Sequence, residues 1–191
     1  MNLKKAVFLD RDGTINVEKD YLVRPEEFEF IPDAPAAIAR LKRAGFLVIV
    51  VTNQSGVARG YFGTEEVRQL HDHLKQQLAL VGTAIDDFYF CPHHPEYGVG
   101  EYKVDCDCSK GSPGMLLQAA AEHGIDLDRS YMVGDKVADV EAGRRAGCRS
   151  ILVLTGYGQS EVKKLPDHEV NVVADLSSAV DYILAAVKDE P

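Results

Sequence analysis

The stretch AVFLDRDGTIN, residues 6–16, joins a short apolar run to two aspartates, Asp10 and Asp12. The run is apolar without alternation, which is typical of a strand that is covered on both faces. A turn after the strand accounts for one aspartate, but it does not easily account for both. We therefore asked which residues follow the other strands of the chain.

Short apolar runs alternate with helical patterns along the rest of the sequence. We predict strands at 6–10, 46–52, 87–91, 130–134, 150–154 and 169–173, and helices at 34–44, 64–80, 114–123, 137–146 and 176–187. Asp33 and Thr64 are predicted N-caps, and glycines stand where four helices should end: Gly45, Gly82, Gly124 and Gly147. This order predicts a three-layer α/β/α, Rossmann-like fold with a parallel sheet, formed by residues 1–191 as one domain.

The composition limits the possible functions. The chain has 191 residues with 46% hydrophobic residues, so it can bury a core, and its net charge of -9 disfavours binding to nucleic acid or to an anionic membrane. The longest apolar run is six residues, 46–51, and the N-terminus lacks the apolar region of a signal peptide. We therefore expect a cytoplasmic protein, in which the four cysteines are thiols or metal ligands.

Two long loops interrupt the alternation, at 16–32 and 92–113. The second carries a C-x-H pair and, after twelve residues, a C-x-C pair: Cys91, His93, Cys106 and Cys108. Three thiolates and one imidazole form a common structural zinc set, and we predict that Zn²⁺ orders this loop. His94 competes for the role of His93, and the alternatives to zinc are four unrelated polar residues in a loop or a redox pair at Cys106 and Cys108. Cys148, before a strand, is expected to be a small buried residue.

Polar residues follow four of the predicted strands, at the edge where parallel sheets bind ligands. They are Asp10 and Asp12 after the first strand, Thr52, Asn53, Gln54 and Ser55 at the second, Ser109 and Lys110 after the second loop, and Asp135, Lys136 and Asp139 after the fourth. Singly, each has an ordinary structural explanation as a turn residue, strand end or helix cap. Together they suit phosphoryl transfer.

The chemistry assigns a role to each group. Asp10 can attack phosphorus and form an aspartyl-phosphate, and Asp12 can protonate the leaving oxygen and then activate water. Mg²⁺ held by Asp10 and Asp135 would offset the repulsion between carboxylates and a phosphate dianion. Thr52 and Lys110 can hold the phosphoryl oxygens in the transition state.

Four motifs, FLDRDGT, VVTNQSG, SKGSPGM and MVGDKVAD, resemble in order those of the haloacid dehalogenase (HAD) superfamily of phosphatases. DRDGTIN, TNQSGVARG, CPHHP and CDC resemble more narrowly the branch of D-glycero-D-manno-heptose-1,7-bisphosphate 7-phosphatases and histidinol-phosphate phosphatases. The similarity runs from residue 6 to about residue 175. The resemblance implies a HAD fold with small loop insertions, a zinc-ordered loop and no large cap domain.

The resemblance also implies site residues. Asp10 would be the nucleophile, Asp12 the general acid/base, and Mg²⁺ would be held by Asp10, Asp135 and the backbone carbonyl of Asp12. The implied contacts to substrate include Arg11, residues Glu18, Lys19, Asp20 and Tyr21 of the first loop, Thr52 to Ser55, Ser109, Lys110 and Lys136. The family's zinc ligands are matched by Cys91, His93, Cys106 and Cys108.

One position departs from the family pattern, because Ser109 stands where an arginine usually follows the C-x-C motif. A bidentate contact to a second phosphate is therefore missing at this position. Arg59 and Arg11 are candidates to compensate for it, and the alternative for each is a solvated surface charge. We expect a monomeric Mg²⁺-dependent phosphatase that removes the 7-phosphate of a heptose 1,7-bisphosphate, for lipopolysaccharide core or surface-glycan synthesis. The alternatives are a phosphatase of histidinol phosphate or another small phosphomonoester, and a non-catalytic zinc-ordered binding domain.

Overall fold

The computed structural model describes residues 3–165 and 170–188 and contains a six-stranded, fully parallel sheet. Its strands are β1 (Ala6–Leu9), β2 (Leu47–Asn53), β3 (Asp87–Cys91), β4 (Tyr131–Gly134), β5 (Arg149–Val153) and β6 (Asn171–Val173). They lie in the order β3-β2-β1-β4-β5-β6. From the central strand β1, the strands β2 and β3 extend the sheet to one side and β4, β5 and β6 extend it to the other. The strand order therefore switches between β1 and β4, and in such sheets ligands bind in the crevice at this switch point.

Helices cover both faces of the sheet. They are α1 (Ala34–Arg43), α2 (Ser55–Ala58), α3 (Thr64–Leu80), α4 (Gly114–His123), α5 (Val137–Ala146), α6 (Gly158–Glu161) and α7 (Leu176–Lys188). Successive residues of β1 alternate between the two layers: Val7 and Leu9 pack with α1, α3 and α7, while Ala6 and Phe8 pack with α4 and α5. The three-layer α/β/α architecture and the parallel sheet are thus confirmed.

Several predicted boundaries differ from the structure by a few residues. Asp10 lies just after β1, and β6 begins at Asn171, whereas the prediction began at residue 169, which lies outside the described residues. The N-cap of α3 is Gly63, not Thr64, and the amide of Gly63 donates to the carboxylate of Glu66 at 3.0 Å. Asp33 precedes α1 but makes no side-chain capping bond. The short helices α2 and α6 were not predicted.

The two long loops fold against the edge of the sheet that carries the strand ends. Residue Asn16 forms isolated bridges with Asp12 and Phe30, so the first loop returns along itself before α1. The second loop contains a 3-10 turn at Gly100–Tyr102 and is tied to α2 by the hydrogen bond from Val99 N to Ala58 O, at 2.9 Å. Among the described residues, every helix is too short or too polar to cross a bilayer.

Candidate active site and zinc cluster

Three aspartates from two neighbouring strand ends meet at the crevice. Carboxylate oxygens of Asp10, after β1, and of Asp135 and Asp139, after β4, all lie within 4.8 Å of one another. All three residues are buried. Burial raises the pKa of Asp135 well above its ordinary value, and the negative charges of Asp10 and Asp139 raise it further. Such crowding of acids in a dry site favours a bound cation.

Lys110 supplies one positive charge to this cluster. Its Nζ lies 2.6 Å from Asp10 Oδ1 and 2.7 Å from Asp139 Oδ1, and the side chain is buried. Burial alone would lower the pKa of this lysine, but the carboxylates of Asp10 and Asp139 outweigh that effect and raise it. The lysine is therefore charged. It lies in the second loop, and its backbone amide donates to Asn53 Oδ1 at 2.9 Å, which fixes this part of the loop to the end of β2.

Asp12 is held by a different set of donors. The guanidinium of Arg11 contacts both of its oxygens, at 3.1 and 2.8 Å, and the side-chain amides of Asn16 and Gln54 donate at 2.9 and 3.0 Å. Burial raises the pKa of Asp12, but Arg11 and these hydrogen bonds outweigh burial and hold the pKa below its ordinary value. In the free protein Asp12 is therefore a fixed carboxylate.

The end of β2 supplies neutral polar groups. Thr52 is buried, and its Oγ1 accepts a hydrogen bond from Gln54 Nε2 at 2.9 Å, which leaves the hydroxyl proton available for donation. The same Gln54 nitrogen donates to Asp12, so one amide links the ends of β1 and β2. The backbone amide of Gln54 donates to Cys91 O at 2.7 Å, and Cys91 lies directly before the second loop.

A divalent cation fits between Asp10 and Asp135. Asp135 Oδ2 accepts the amide of Tyr157 at 2.8 Å, whereas its Oδ1 is buried and has no hydrogen-bond partner among the described residues. Asp139 is already engaged by Lys110 and by the amide of Lys136. Asp10 Oδ2 and Asp135 Oδ1 thus have no hydrogen-bond donor among the described residues, and hard carboxylate oxygens are what Mg²⁺ prefers.

The polar groups open into one cleft of about 560 Å³. The predicted residues that line the cleft are Asp10, Asp12, Glu18, Asp20, Tyr21, Thr52, Asn53, Gln54, Ser55, Ser109, Lys110 and Lys136. Arg11 and Lys19, which belong to the predicted substrate-binding set, do not line the cleft, and their contact with substrate stays a prediction. Arg11 is fully buried behind Asp12, and Lys19 contacts Glu27 O at 2.8 Å and the carboxylate of Glu29 at 3.0 Å.

The part of the cleft wall that follows β5 was not predicted from the sequence. Tyr157 lines the cleft, its hydroxyl donates to Asp20 Oδ1 at 2.8 Å, and Lys136 Nζ lies 4.6 Å from the centre of its ring. The same rule that identified the other strand ends points to LTGYG, residues 154–158, after the fifth strand. Tyr97, which also lines the cleft, carries no comparable signal in the sequence.

The second loop gathers its four predicted ligands. Sulfur and nitrogen atoms of Cys91, His93, Cys106 and Cys108 lie within 4.8 Å of one another. The three Sγ–Sγ distances are 3.1 to 3.5 Å, and His93 Nδ1 lies 3.3 Å from Cys108 Sγ. Tetrahedral zinc with Zn–S bonds of about 2.3 Å needs sulfurs about 3.8 Å apart, so a small expansion would admit the ion. The cluster is compatible with zinc.

The structure also separates the zinc candidates from their competitors. His94 Nδ1 accepts the amides of Glu96 and Tyr97, each at 3.2 Å, and does not join the cluster. Burial, together with the neighbouring thiols, raises the pKa of Cys108 to about 11, so without a metal it stays a protonated thiol. Cys148 is buried in the core layer of α4 and α5, away from the cluster, as expected.

A parallel sheet with an aspartate pair after its central strand, a buried lysine and a second acidic strand end defines an α/β enzyme class that transfers phosphoryl groups through a carboxylate, the HAD-like hydrolases. Comparison with known proteins agrees. A family model described as HAD-hydrolase-like matches residues 107–179. The D-glycero-beta-D-manno-heptose-1,7-bisphosphate 7-phosphatase of Pasteurella multocida is 46% identical over 180 residues, covering 93% of this chain and 97% of the relative.

Two further relatives are similarly complete. The D-glycero-beta-D-manno-heptose-1,7-bisphosphate 7-phosphatase of Escherichia coli K12 is 44% identical and covers 92% of this chain and 93% of its own length. The crystal structure of D,D-heptose 1,7-bisphosphate phosphatase from B. bronchiseptica, complexed with magnesium and phosphate, superposes with a TM-score of 0.85 at 37% identity, covering 95% of this chain and 99% of that one. The chain belongs to the heptose-1,7-bisphosphate 7-phosphatase family of the HAD-like hydrolases.

Proposed function

We propose that the protein removes the 7-phosphate of D-glycero-D-manno-heptose 1,7-bisphosphate by way of an aspartyl-phosphate on Asp10. The observation that carries the proposal is the meeting of Asp10, Lys110 and Asp135 at one buried point beside an open cleft. The relatives that bear this name align over more than nine tenths of the chain, which supports the choice of sugar.

Asp10 is suited to attack phosphorus. One of its oxygens, Oδ1, is held by Lys110 Nζ at 2.6 Å and by the Arg11 amide at 2.7 Å. Its Oδ2 accepts no hydrogen bond from the described residues, so this oxygen remains free to form the bond to phosphorus. Fixing one oxygen orients the carboxylate, which lowers the entropic part of the barrier.

Asp12 would complete both halves of the reaction. Arg11, Asn16 and Gln54 fix its carboxylate in the ionised state, which is the state that accepts a proton from water when the aspartyl-phosphate is hydrolysed. A bound phosphate dianion beside it favours its protonated form, because like charges disfavour ionisation. That proton would go to the leaving sugar oxygen in the first half of the cycle.

Thr52 and Lys110 would hold the transferring phosphoryl group. The Thr52 hydroxyl has its acceptor site filled by Gln54 and can donate its proton to a phosphoryl oxygen. Lys110 brings a fixed positive charge against the developing negative charge. Asp10, Asp135 and the carbonyl of Asp12 would hold Mg²⁺, whose charge, when bound, offsets that of the carboxylates and the phosphate.

The zinc cluster would serve the same site indirectly. Cys106 and Cys108 lie immediately before Ser109 and Lys110, and Cys91 ends β3 and accepts the Gln54 amide. Zinc would therefore fix the loop that delivers the catalytic lysine. All four ligands come from the protein, so the metal would have a structural role. We further propose that the protein is a cytoplasmic monomer. The proposed substrate, a heptose bisphosphate, suits lipopolysaccharide core or surface-glycan synthesis.

Phosphate release from a panel of substrates tests the proposal. The panel contains both anomers of heptose 1,7-bisphosphate, heptose 7-phosphate, fructose 1,6-bisphosphate and histidinol phosphate, with and without Mg²⁺. We expect the highest kcat/KM for a heptose 1,7-bisphosphate and no turnover in excess EDTA. A large advantage for histidinol phosphate would identify the alternative activity, and the absence of turnover on every substrate would favour a binding domain.

A further inference from the structure

The cations that line the cleft are already paired. They are Lys110, which contacts Asp10 and Asp139, and Lys136, whose Nζ lies 3.6 Å from the carboxylate of Glu18. The exposed residues of the lining, which we call the rim, are Asp20, Tyr21, Asn53, Pro95, Glu96, Tyr97 and Tyr157. The charged residues of the rim are both acidic, so a second phosphate on the substrate would be repelled there unless another cation lay nearby.

Arg59 is that cation. It does not itself line the cleft, but it follows α2, the helix that places Ser55 and Gly56 in the cleft wall. Its guanidinium carbon lies 4.3 Å from the centre of the Tyr97 ring and 6.0 Å from that of Tyr21, and both tyrosines belong to the rim. Among the described residues it has no carboxylate partner, and its Nε is buried without a hydrogen-bond acceptor.

The second loop fixes the tyrosine against this arginine. The hydrogen bond from Val99 N to Ala58 O joins the loop to the residue before Arg59. His94 accepts the Tyr97 amide at its Nδ1, at 3.2 Å, and the amide of Gly98 at its carbonyl, at 3.1 Å. His94 adjoins the zinc ligand His93, so the ordering of the zinc loop also orders the aromatic wall against which the guanidinium packs.

We propose that Arg59 determines specificity by binding the second, unreacting phosphate of the substrate. The inference rests on the proposed function, because that function supplies a substrate with two phosphates. A guanidinium matches phosphate oxygens with two parallel hydrogen bonds, and packing against an aromatic ring restricts its motion before the ligand arrives. Ser109, beside the catalytic lysine, carries no charge that could serve instead.

The test compares kcat/KM for heptose 1,7-bisphosphate and heptose 7-phosphate in the wild type and in Arg59→Gln, Arg59→Lys and Arg68→Gln. Arg68 of α3 is the matched control, since its guanidinium also packs against an aromatic ring, that of Phe90 in β3 at 6.0 Å, but Phe90 does not belong to the rim. We expect Arg59→Gln to lose at least tenfold on the bisphosphate, mainly through KM, and less than twofold on the monophosphate. Arg59→Lys should fall between, and Arg68→Gln should match the wild type.

Two results would overturn the inference alone. Arg59→Gln could keep the wild-type preference for the bisphosphate, or it could lose equally on both substrates, which is what a structural role beneath Tyr97 would produce. Thermal unfolding of each variant shows whether a loss of activity comes from misfolding. If Arg59→Gln is misfolded, Arg59→Lys is compared with the wild type on both substrates instead. If the wild type itself does not prefer the bisphosphate, the proposed function fails first and the role of Arg59 with it.

Discussion

Replacing Gly156 with alanine should disable the site by displacing Asp135, although no proposed site residue is itself replaced. Gly156 has a φ of +55°, and a Cβ added there would lie 2.2 Å from Asp135 Oδ2 and 2.6 Å from the Cα of Gly13. The Gly13 backbone cannot move away easily, because its carbonyl accepts the Thr155 hydroxyl at 2.6 Å. The Asp135 carboxylate therefore has to give way.

The size of the effect follows from these distances. Ordinary contact begins near 3.4 Å, so the carboxylate must retreat by about 1.2 Å from its present 2.2 Å. A displacement of about 1 Å in a catalytic group typically costs about 100-fold in rate. The left-handed backbone adds about 1 to 2 kcal/mol of destabilisation, which is a cost in stability and not in catalysis.

Gly124→Ala is the matched control, since Gly124 has a φ of +65° at the end of α4 and a Cβ there would meet nothing within 4 Å. In urea unfolding, the left-handed backbone should lower the free energy of unfolding of both variants by a similar amount. The collision with Asp135 should lower that of Gly156→Ala further. Gly156→Ala alone should lose about 100-fold in kcat and require more Mg²⁺ for half-maximal activity. Wild-type kcat and Mg²⁺ dependence in folded Gly156→Ala would refute the proposed metal role of Asp135.

Three further predictions concern other parts of the molecule. Burial and the nearby Arg11 lower the pKa of His71 to about 3. The folded state should therefore lose stability as the pH falls below 6.5, by about 2 kcal/mol at pH 5. In urea unfolding, the His71→Leu variant should not show this loss. Cys106→Ser should lose bound zinc and melt at lower temperature, whereas Cys148→Ser should retain its zinc in elemental analysis; equal zinc contents would contradict the assigned cluster. Lys110→Met should lower kcat at least 100-fold in the phosphate-release assay, and a loss confined to KM would contradict its role in the transition state.

The sequence could predict the layers of this fold because the evidence for them is local. Continuous apolar strands indicate burial on both faces, and the glycines Gly45, Gly82, Gly124 and Gly147 all have the positive φ expected where helices end. The strand order could not be predicted, because it depends on pairings between distant segments. The cap of α3 was misplaced by one residue, because propensity favours the hydroxyl of Thr64 whereas the structure uses the Glu66 side chain on the amide of Gly63.

The site was predictable to the extent that strand ends meet at one edge. That rule brought Asp10, Thr52 and Asp135 to the same crevice, as the structure shows. It could not give the direction of side chains within a turn, so the inward turn of the Arg11 guanidinium to Asp12 was not foreseen. Tyr97 could not be foreseen either, because a loop ordered by contacts far apart in the sequence places it.

The covalent step on Asp10 can be observed directly. The protein is mixed with heptose 1,7-bisphosphate and Mg²⁺, quenched in acid within one turnover, treated with borohydride and digested for mass spectrometry. Borohydride reduces an aspartyl-phosphate to the alcohol, so the peptide containing residue 10 should carry that change only when substrate is present. Rapid phosphate release with residue 10 unmodified, or with the reduction found at another carboxylate, would contradict the mechanism.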